Sequence, residues 1–310
     1  MPLSEAAFAL PMGLEGCGRE GQATLCGADG APVVVMMGGI SGDRFPCLRG
    51  DGSPGWWNGL AGPGKAIDPA RYRVLGFHFA ADEEGRFAPS TADQARVLAA
   101  ALDAFGIARA ALVIGASYGG MISLAFAEQF PERVGRLAVI SADASPHPYS
   151  TAGRELQRRV VRLGIEQGQG DEALAIARGM AMTSYRSREE FAERFAGGIE
   201  GEDPLTCSAP GAYLRARGEA YRQIMSPGRF LSLSASIDRH RCDPAAIATS
   251  ATLIGATTDL LVPPEQMRDL AAGLAGPVAL HLSTSPWGHD MFLKEPEMLA
   301  QALAMGRSSD

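Results

Sequence analysis

AALVIGASYGG (110–120), followed at once by MISLAFAEQFPERV (121–134), decides the fold. The first stretch reads as a buried strand running into a turn, and the second as a helix that continues until Pro131. Ser117 lies between them in a GxSxG sequence, Gly115-Ala116-Ser117-Tyr118-Gly119. A hydroxyl held on so sharp a turn needs glycine on both sides, because a Cβ there would clash. A bare GxSxG also occurs as a plain Gly-Ser turn; the strand before it and the helix after it make Ser117 a candidate nucleophile.

Working outward, APVVVMMGG (31–39), RYRVLGFHF (71–79), RLAVISA (136–142), SATLIGATTD (250–259) and PVALHLSTS (277–285) are short apolar, β-branched runs that read as buried strands. TADQARVLAAALDAFGI (91–107), with Thr91 as N-cap, and EPEMLAQALAMG (295–306) carry helical spacing. This alternation predicts an α/β chain with a mostly parallel central sheet and helices on both faces. From Ser145 to Ala245 the pattern changes to charged helical segments with no strand-like run. The expected organisation is a core of residues 1–144 and 246–310 interrupted by a helical lid, 145–245. Residues 1–30 are Gly-rich and only weakly patterned.

Composition narrows the function. Lys and Arg number 28 against 35 Asp and Glu, a formal charge of −7, which argues against a nucleic-acid or anionic-membrane binder. Hydrophobic residues at 46% and charged ones at 20% describe a globular chain with ample core. The opening MPLSEAAFALPMGLEG has no Lys or Arg and does not read as a secretory signal, and no stretch is long and apolar enough for a bilayer span. Five Cys without CxxC spacing make neither a disulfide framework nor a zinc cluster, so a reducing cytoplasm and no metal are expected.

A serine nucleophile needs a base, and the base needs a carboxylate to orient it. Asp259 follows the strand ATLIGATT and His289 follows PVALHLSTS, both in loops at the carboxyl ends of strands, where sheets of this kind place their sites. The other His residues are 78, 147, 240 and 281; His281 lies within a strand and His240 in the charged insertion. Ser117, Asp259 and His289 stand in the chain order nucleophile, acid, base of the α/β-hydrolase fold. The backbone N–H groups of Tyr118 and of Ile40, in the loop Gly38-Gly39-Ile40-Ser41-Gly42, are candidates to hold a developing oxyanion. That loop lacks GxxxxGK[ST], which argues against a phosphate cradle.

Gly55-Trp56-Trp57, Gly62-Pro63-Gly64-Lys65-Ala66-Ile67-Asp68, GASYGGM, TDLLVPPEQM (258–267) and GHDMFL (288–293) together resemble the homoserine O-acyltransferases of the α/β-hydrolase superfamily, over about residues 33–305. The resemblance implies that Ser117 takes an acyl group from acyl-CoA, with His289 as base and Asp259 orienting it. It implies that Asp290 contacts the amino group of L-homoserine. In ARGMAMTSY it implies that Arg178 grips the carboxylate bidentately and that Tyr185 lines the same pocket. It further implies methionine biosynthesis and a homodimer assembled through the insertion, with acetyl-CoA or succinyl-CoA as co-substrate and no tightly bound cofactor.

Two departures bear on the substrates. HFAADEEGRF (78–87) replaces an Asn- and Gly-containing loop, and the chain is shorter than typical members; both segments are expected to border the substrate funnel. A succinyl donor needs an extra cation near the acyl pocket, and none can be assigned from sequence; acetyl is the simpler expectation. Serine or another hydroxyl acceptor, a plain esterase, and a non-catalytic binding protein are the alternatives, the last disfavoured by the intact Ser117, Asp259 and His289. Trp56, Trp57 and Trp287 are expected to pack beneath the site loops, and Arg158, Arg159 and Arg162 to form a solvated helix face rather than a CoA phosphate site.

Overall fold

The computed structural model describes residues 2–197 and 208–306. Its sheet has eight strands: β1 (Leu3–Ala9), β2 (Glu20–Gly27), β3 (Val33–Met37), β4 (Arg73–Phe77), β5 (Leu112–Ala116), β6 (Leu137–Ile140), β7 (Ala251–Ala256) and β8 (Val278–Ser283), in the spatial order β1-β2-β4-β3-β5-β6-β7-β8. From β4 to β8 every pairing is parallel; β1 and β2 add an antiparallel edge, with Leu3 opposite Cys26 and Ala23 opposite Phe77. The six parallel strands are those read from the sequence. The antiparallel pair lies in the stretch of weak patterning, because an edge strand exposed on one side needs no continuous apolar run; β1 buries none of its residues fully.

Alternate residues of the inner strands feed two cores. Val33, Val35, Met37, Val113 and Val139 pack with α1 (Thr91–Ala104) and α2 (Tyr118–Gln129) on one face. On the other face Val34, Met36, Ile114, Ile140 and Ile254 pack with Trp57, Leu60, Ile67 and the last helix. The N-cap of α1 is Ser90, not Thr91. Ser90 Oγ accepts from the N–H of Asp93, whose carboxylate accepts from the N–H of Ser90 at 2.7 Å, a capping box. Thr91 is instead buried, with its hydroxyl 2.6 Å from Nδ1 of His240.

Between β6 and β7 the chain forms α3 (Pro148–Glu166), α4 (Gly170–Tyr185), α5 (Arg188–Arg194), α6 (Ala209–Tyr221) and α7 (Pro227–Asp238). After β7 come α8 (Pro264–Gly273), then α9 (Met291–Lys294) and α10 (Pro296–Met305) behind β8. Helix α7 has no strongly amphipathic pattern because most of its residues are buried: it runs past Tyr118, whose hydroxyl lies 2.6 Å from Ser236 Oγ. The divergent loop 78–87 lies against α7 too. Asp82 accepts from the N–H groups of Glu84, Arg86 and Phe87, and Arg229 of α7 donates to Phe79 O and Glu83.

Candidate active site

Ser117 stands on the turn between β5 and α2 with φ 55° and ψ −119°, a backbone region that L side chains rarely occupy. The flanking glycines permit the turn. A Cβ on Gly115 would come within 2.1 Å of the Gly119 carbonyl oxygen, and one on Gly119 within 2.6 Å of Met37. The strand end thus presents the hydroxyl above the carboxyl edge of the sheet.

The loops after β7 and β8 bring the two partners to it. His289, on a single 3₁₀ turn (Gly288–Asp290), places Nε2 2.8 Å from Ser117 Oγ and Nδ1 2.8 Å from Asp259 Oδ2. Asp259 is fixed in turn, its Oδ1 accepting from the N–H groups of Leu261 and Val262 at 2.8 and 3.0 Å. Burial alone would favour neutral imidazole at His289. The charge and hydrogen bond of Asp259, with the more distant Asp290, outweigh it and leave the pKa above the ordinary histidine value. The hydrogen bond to Asp259 orients the ring so that Nε2 faces the serine hydroxyl, the geometry of a nucleophile with its base.

Two cavities meet at this point, and Ser117, Tyr185, Ile237 and His289 line both. The smaller, about 250 Å³, is walled by the loop Gly39–Gly42, Trp56, Arg178 and Asp290. The N–H groups of Ile40 and Tyr118 donate to no acceptor among the described residues; Ile40 lines the smaller cavity and Tyr118 the larger. Arg178 is clamped between Tyr185 and Tyr221, its guanidinium carbon 4.9 and 4.7 Å from the two ring centroids. The larger cavity, about 480 Å³, runs under α3 and α4 past Met121, Pro146, Ala181 and Val262. No residue of the 78–87 loop lines either cavity, contrary to the expectation that it borders the funnel; its hydrogen bonds hold it on α7 instead.

Trp57 is buried, stacked on Trp56 at 4.9 Å and donating to the Phe292 carbonyl. Trp56 packs beneath Gly38, where a Cβ would meet its ring at 2.6 Å, and also reaches the smaller cavity. Trp287 is half-buried under the guanidinium of Arg186. Arg159 and Arg162 are exposed as expected, but Arg158 is not a solvated residue: it donates to Asp238 and Ser234 of α7.

Three residues of the site escaped the sequence. Arg186 donates from Nε to Asp290 Oδ2 at 2.8 Å, so Asp290 meets the cavity with one oxygen already engaged. Ser141, at the end of β6, takes φ 48° beside the larger cavity with its hydroxyl buried and unpaired among the described residues. Arg154 of α3 lines the same cavity. Adjacency to Tyr185 was the only cue for Arg186. No group of three or more His, Cys, Asp or Glu among the described residues is arranged to hold a metal ion.

A family model described as the alpha/beta hydrolase fold matches residues 32–296. That defines the class; the relatives narrow it. A homoserine O-succinyltransferase from Xanthomonas campestris pv. campestris is 43% identical over 87% of this chain and 74% of its own length. A homoserine O-acetyltransferase from Thermus thermophilus is 33% identical over 83% of this chain and 73% of its own. The crystal structure of homoserine O-acetyltransferase from Bacillus anthracis superposes with a TM-score of 0.82 at 17% identity, covering 98% of this chain and 97% of that one. The chain belongs to the homoserine O-acyltransferase family of the α/β-hydrolase fold.

Proposed function

We propose that this enzyme moves an acyl group from acyl-CoA to the hydroxyl of L-homoserine through an ester on Ser117. The observation that carries this reading is the position of the Ser117 hydroxyl, on His289 and at the junction of two cavities of different character. In the first half-reaction Ser117 Oγ bonds to the thioester carbon while its proton passes to His289 Nε2. The C–S bond then breaks, and the CoA thiolate leaves with that proton. In the second, the homoserine hydroxyl gives its proton to His289 as its oxygen bonds to the acyl carbon. The ester bond to Ser117 breaks, and Oγ recovers the proton. The N–H groups of Ile40 and Tyr118 hold the oxyanion of both tetrahedral intermediates.

The smaller cavity suits the acceptor. A zwitterionic amino acid needs a cation and an anion, and Arg178 and Asp290 line that cavity together. Tyr185 packs at a tilt against His289 with ring centroids 5.6 Å apart, so the end of α4 covers the base. A covered ester is reached by a bound hydroxyl more readily than by water, which separates transfer from hydrolysis. The O-acyl homoserine product fits a place in methionine biosynthesis.

The test is release of free CoA thiol from acetyl-CoA and from succinyl-CoA, each with and without L-homoserine. Release that requires homoserine and vanishes in Ser117→Ala supports the transferase. Equal release without acceptor makes the protein an esterase, and release only with L-serine changes the acceptor.

A further inference from the structure

Arg178 and Asp290 line one cavity of about 250 Å³ with opposite charges, yet among the described residues no ion pair joins them. Each is close enough to feel the charge of the other. Shielded from water, two such groups attract several-fold more strongly than in bulk solvent. Left free, they would close on each other and fill the gap that an amino acid has to enter. A separate restraint acts on each.

Arg178 is held by the rings of Tyr185 and Tyr221, which clamp its guanidinium. Asp290 is held by Arg186, whose Nε donates to Oδ2 at 2.8 Å. Arg186 is fixed in its turn: its guanidinium carbon lies 4.8 Å from the Trp287 ring centroid, and Nη1 reaches Glu190 Oε1 at 3.5 Å. Glu190 is buried, and Arg194 donates to the same oxygen from Nε at 2.6 Å. Arg194, Glu190, Arg186 and Asp290 thus form a row of alternating sign, balanced without any call on Arg178. Asp290 Oδ1 receives no donor among the described residues, and the atom is not sealed from solvent. That oxygen remains for a ligand in the cavity.

We propose that Arg186 is a positioning residue for the acceptor: it keeps Asp290 from closing on Arg178 and leaves Oδ1 open to an ammonium group. The inference rests on the acceptor reading given above, with the amino acid lying between Arg178 and Asp290. Arg186 lines neither cavity, so it acts through Asp290 and not on a substrate. Because the gap exists before binding, the entering zwitterion has no internal ion pair to displace.

The experiment measures kcat/KM for L-homoserine and for γ-hydroxybutyrate, the same acceptor without its amino group. The donor is acetyl-CoA or succinyl-CoA, whichever the wild type uses faster. Arg186→Gln is expected to lower kcat/KM for homoserine by roughly ten- to a hundredfold, the worth of one charge-assisted contact, chiefly through KM. The value for γ-hydroxybutyrate should hardly change. The burst of thiol before any acceptor is added, which reports acylation of Ser117, should keep its rate and amplitude. Arg186→Lys, which keeps the charge but not the fork, should fall between on homoserine, and it carries the test if Arg186→Gln fails to fold. Equal losses on both acceptors, or a slowed burst, mark Arg186 as merely structural and overturn the proposal. So does an unchanged kcat/KM for homoserine in either folded variant. Failure of the acyltransferase reading itself looks different: the wild type then releases no thiol in response to homoserine.

Discussion

Arg186 Nε donates to Asp290 Oδ2 across 2.8 Å, tying the residue after α4 to the turn that carries His289. The same two segments meet at three further points. The Arg186 guanidinium lies 4.8 Å from the Trp287 ring, the Ser187 N–H donates to the Pro286 carbonyl, and Gly288, at φ 53°, lets the Tyr185 carbonyl approach. The end of α4 and the histidine loop are therefore one packed unit. His289 is thus held from the α4 side as well as by Asp259.

Removing Arg186 leaves Asp290 without its cation and takes one from Glu190, whose Oε1 lies 3.5 Å from Nη1. Arg186 and Asp290 are both more than nine-tenths buried, and breaking a buried pair from one side costs about 3–5 kcal/mol. Arg186→Ala is expected to lower unfolding stability by about that amount in urea denaturation, and Arg186→Lys by less. A loss below about 1 kcal/mol, the range of exposed pairs, contradicts the buried assignment.

The raised pKa of His289 gives a pH dependence with a definite sign. The imidazole acts as base only when neutral, so kcat/KM should rise with pH through a value above the ordinary 6.5. Asp259 is the main group holding that proton on. Asp259→Asn should therefore move the acid limb to lower pH while cutting kcat by about 10⁴-fold, because the tautomer is no longer fixed. Stability follows the same linkage: the His289–Asp259 pair contributes fully below the unfolded histidine pKa, and the contribution fades as pH rises through the folded one. A pH–rate profile of the variant decides the matter, and an acid limb displaced upward would show that Asp259 is not the group holding the proton.

What the sequence made legible was what local chemistry determines. Gly115, Ser117 and Gly119 are recognisable because the turn tolerates few alternatives. Asp259 and His289 stand where parallel strands end, so topology alone aims them at Ser117. Distant pairings left no such trace. Arg158 reads as a solvated helix residue because Asp238 is 80 positions away, and Arg186 meets Asp290 across 104. Thr91 reads as a cap by residue type, but Ser90 and Asp93 make the reciprocal bonds one residue earlier. The weak pattern of residues 1–30 conceals β1 and β2, an antiparallel edge that needs no continuous apolar run.

The backbone at Ser117 permits a separate check on how the nucleophile is held. Its φ of 55° with ψ −119° is unfavourable for any residue carrying a Cβ, a strain of roughly 1–3 kcal/mol. Ser117→Ala removes the hydroxyl and keeps the strain. Ser117→Gly removes both, at the expense of about 0.5–1 kcal/mol in extra unfolded-state freedom. Both variants should be inactive, since neither supplies Oγ. The glycine variant is nonetheless expected to be the more stable by about 1 kcal/mol in denaturant titration. Should alanine prove the more stable, the turn is relaxed in solution, and its geometry is then set by the loops that approach it rather than stored in the backbone at Ser117.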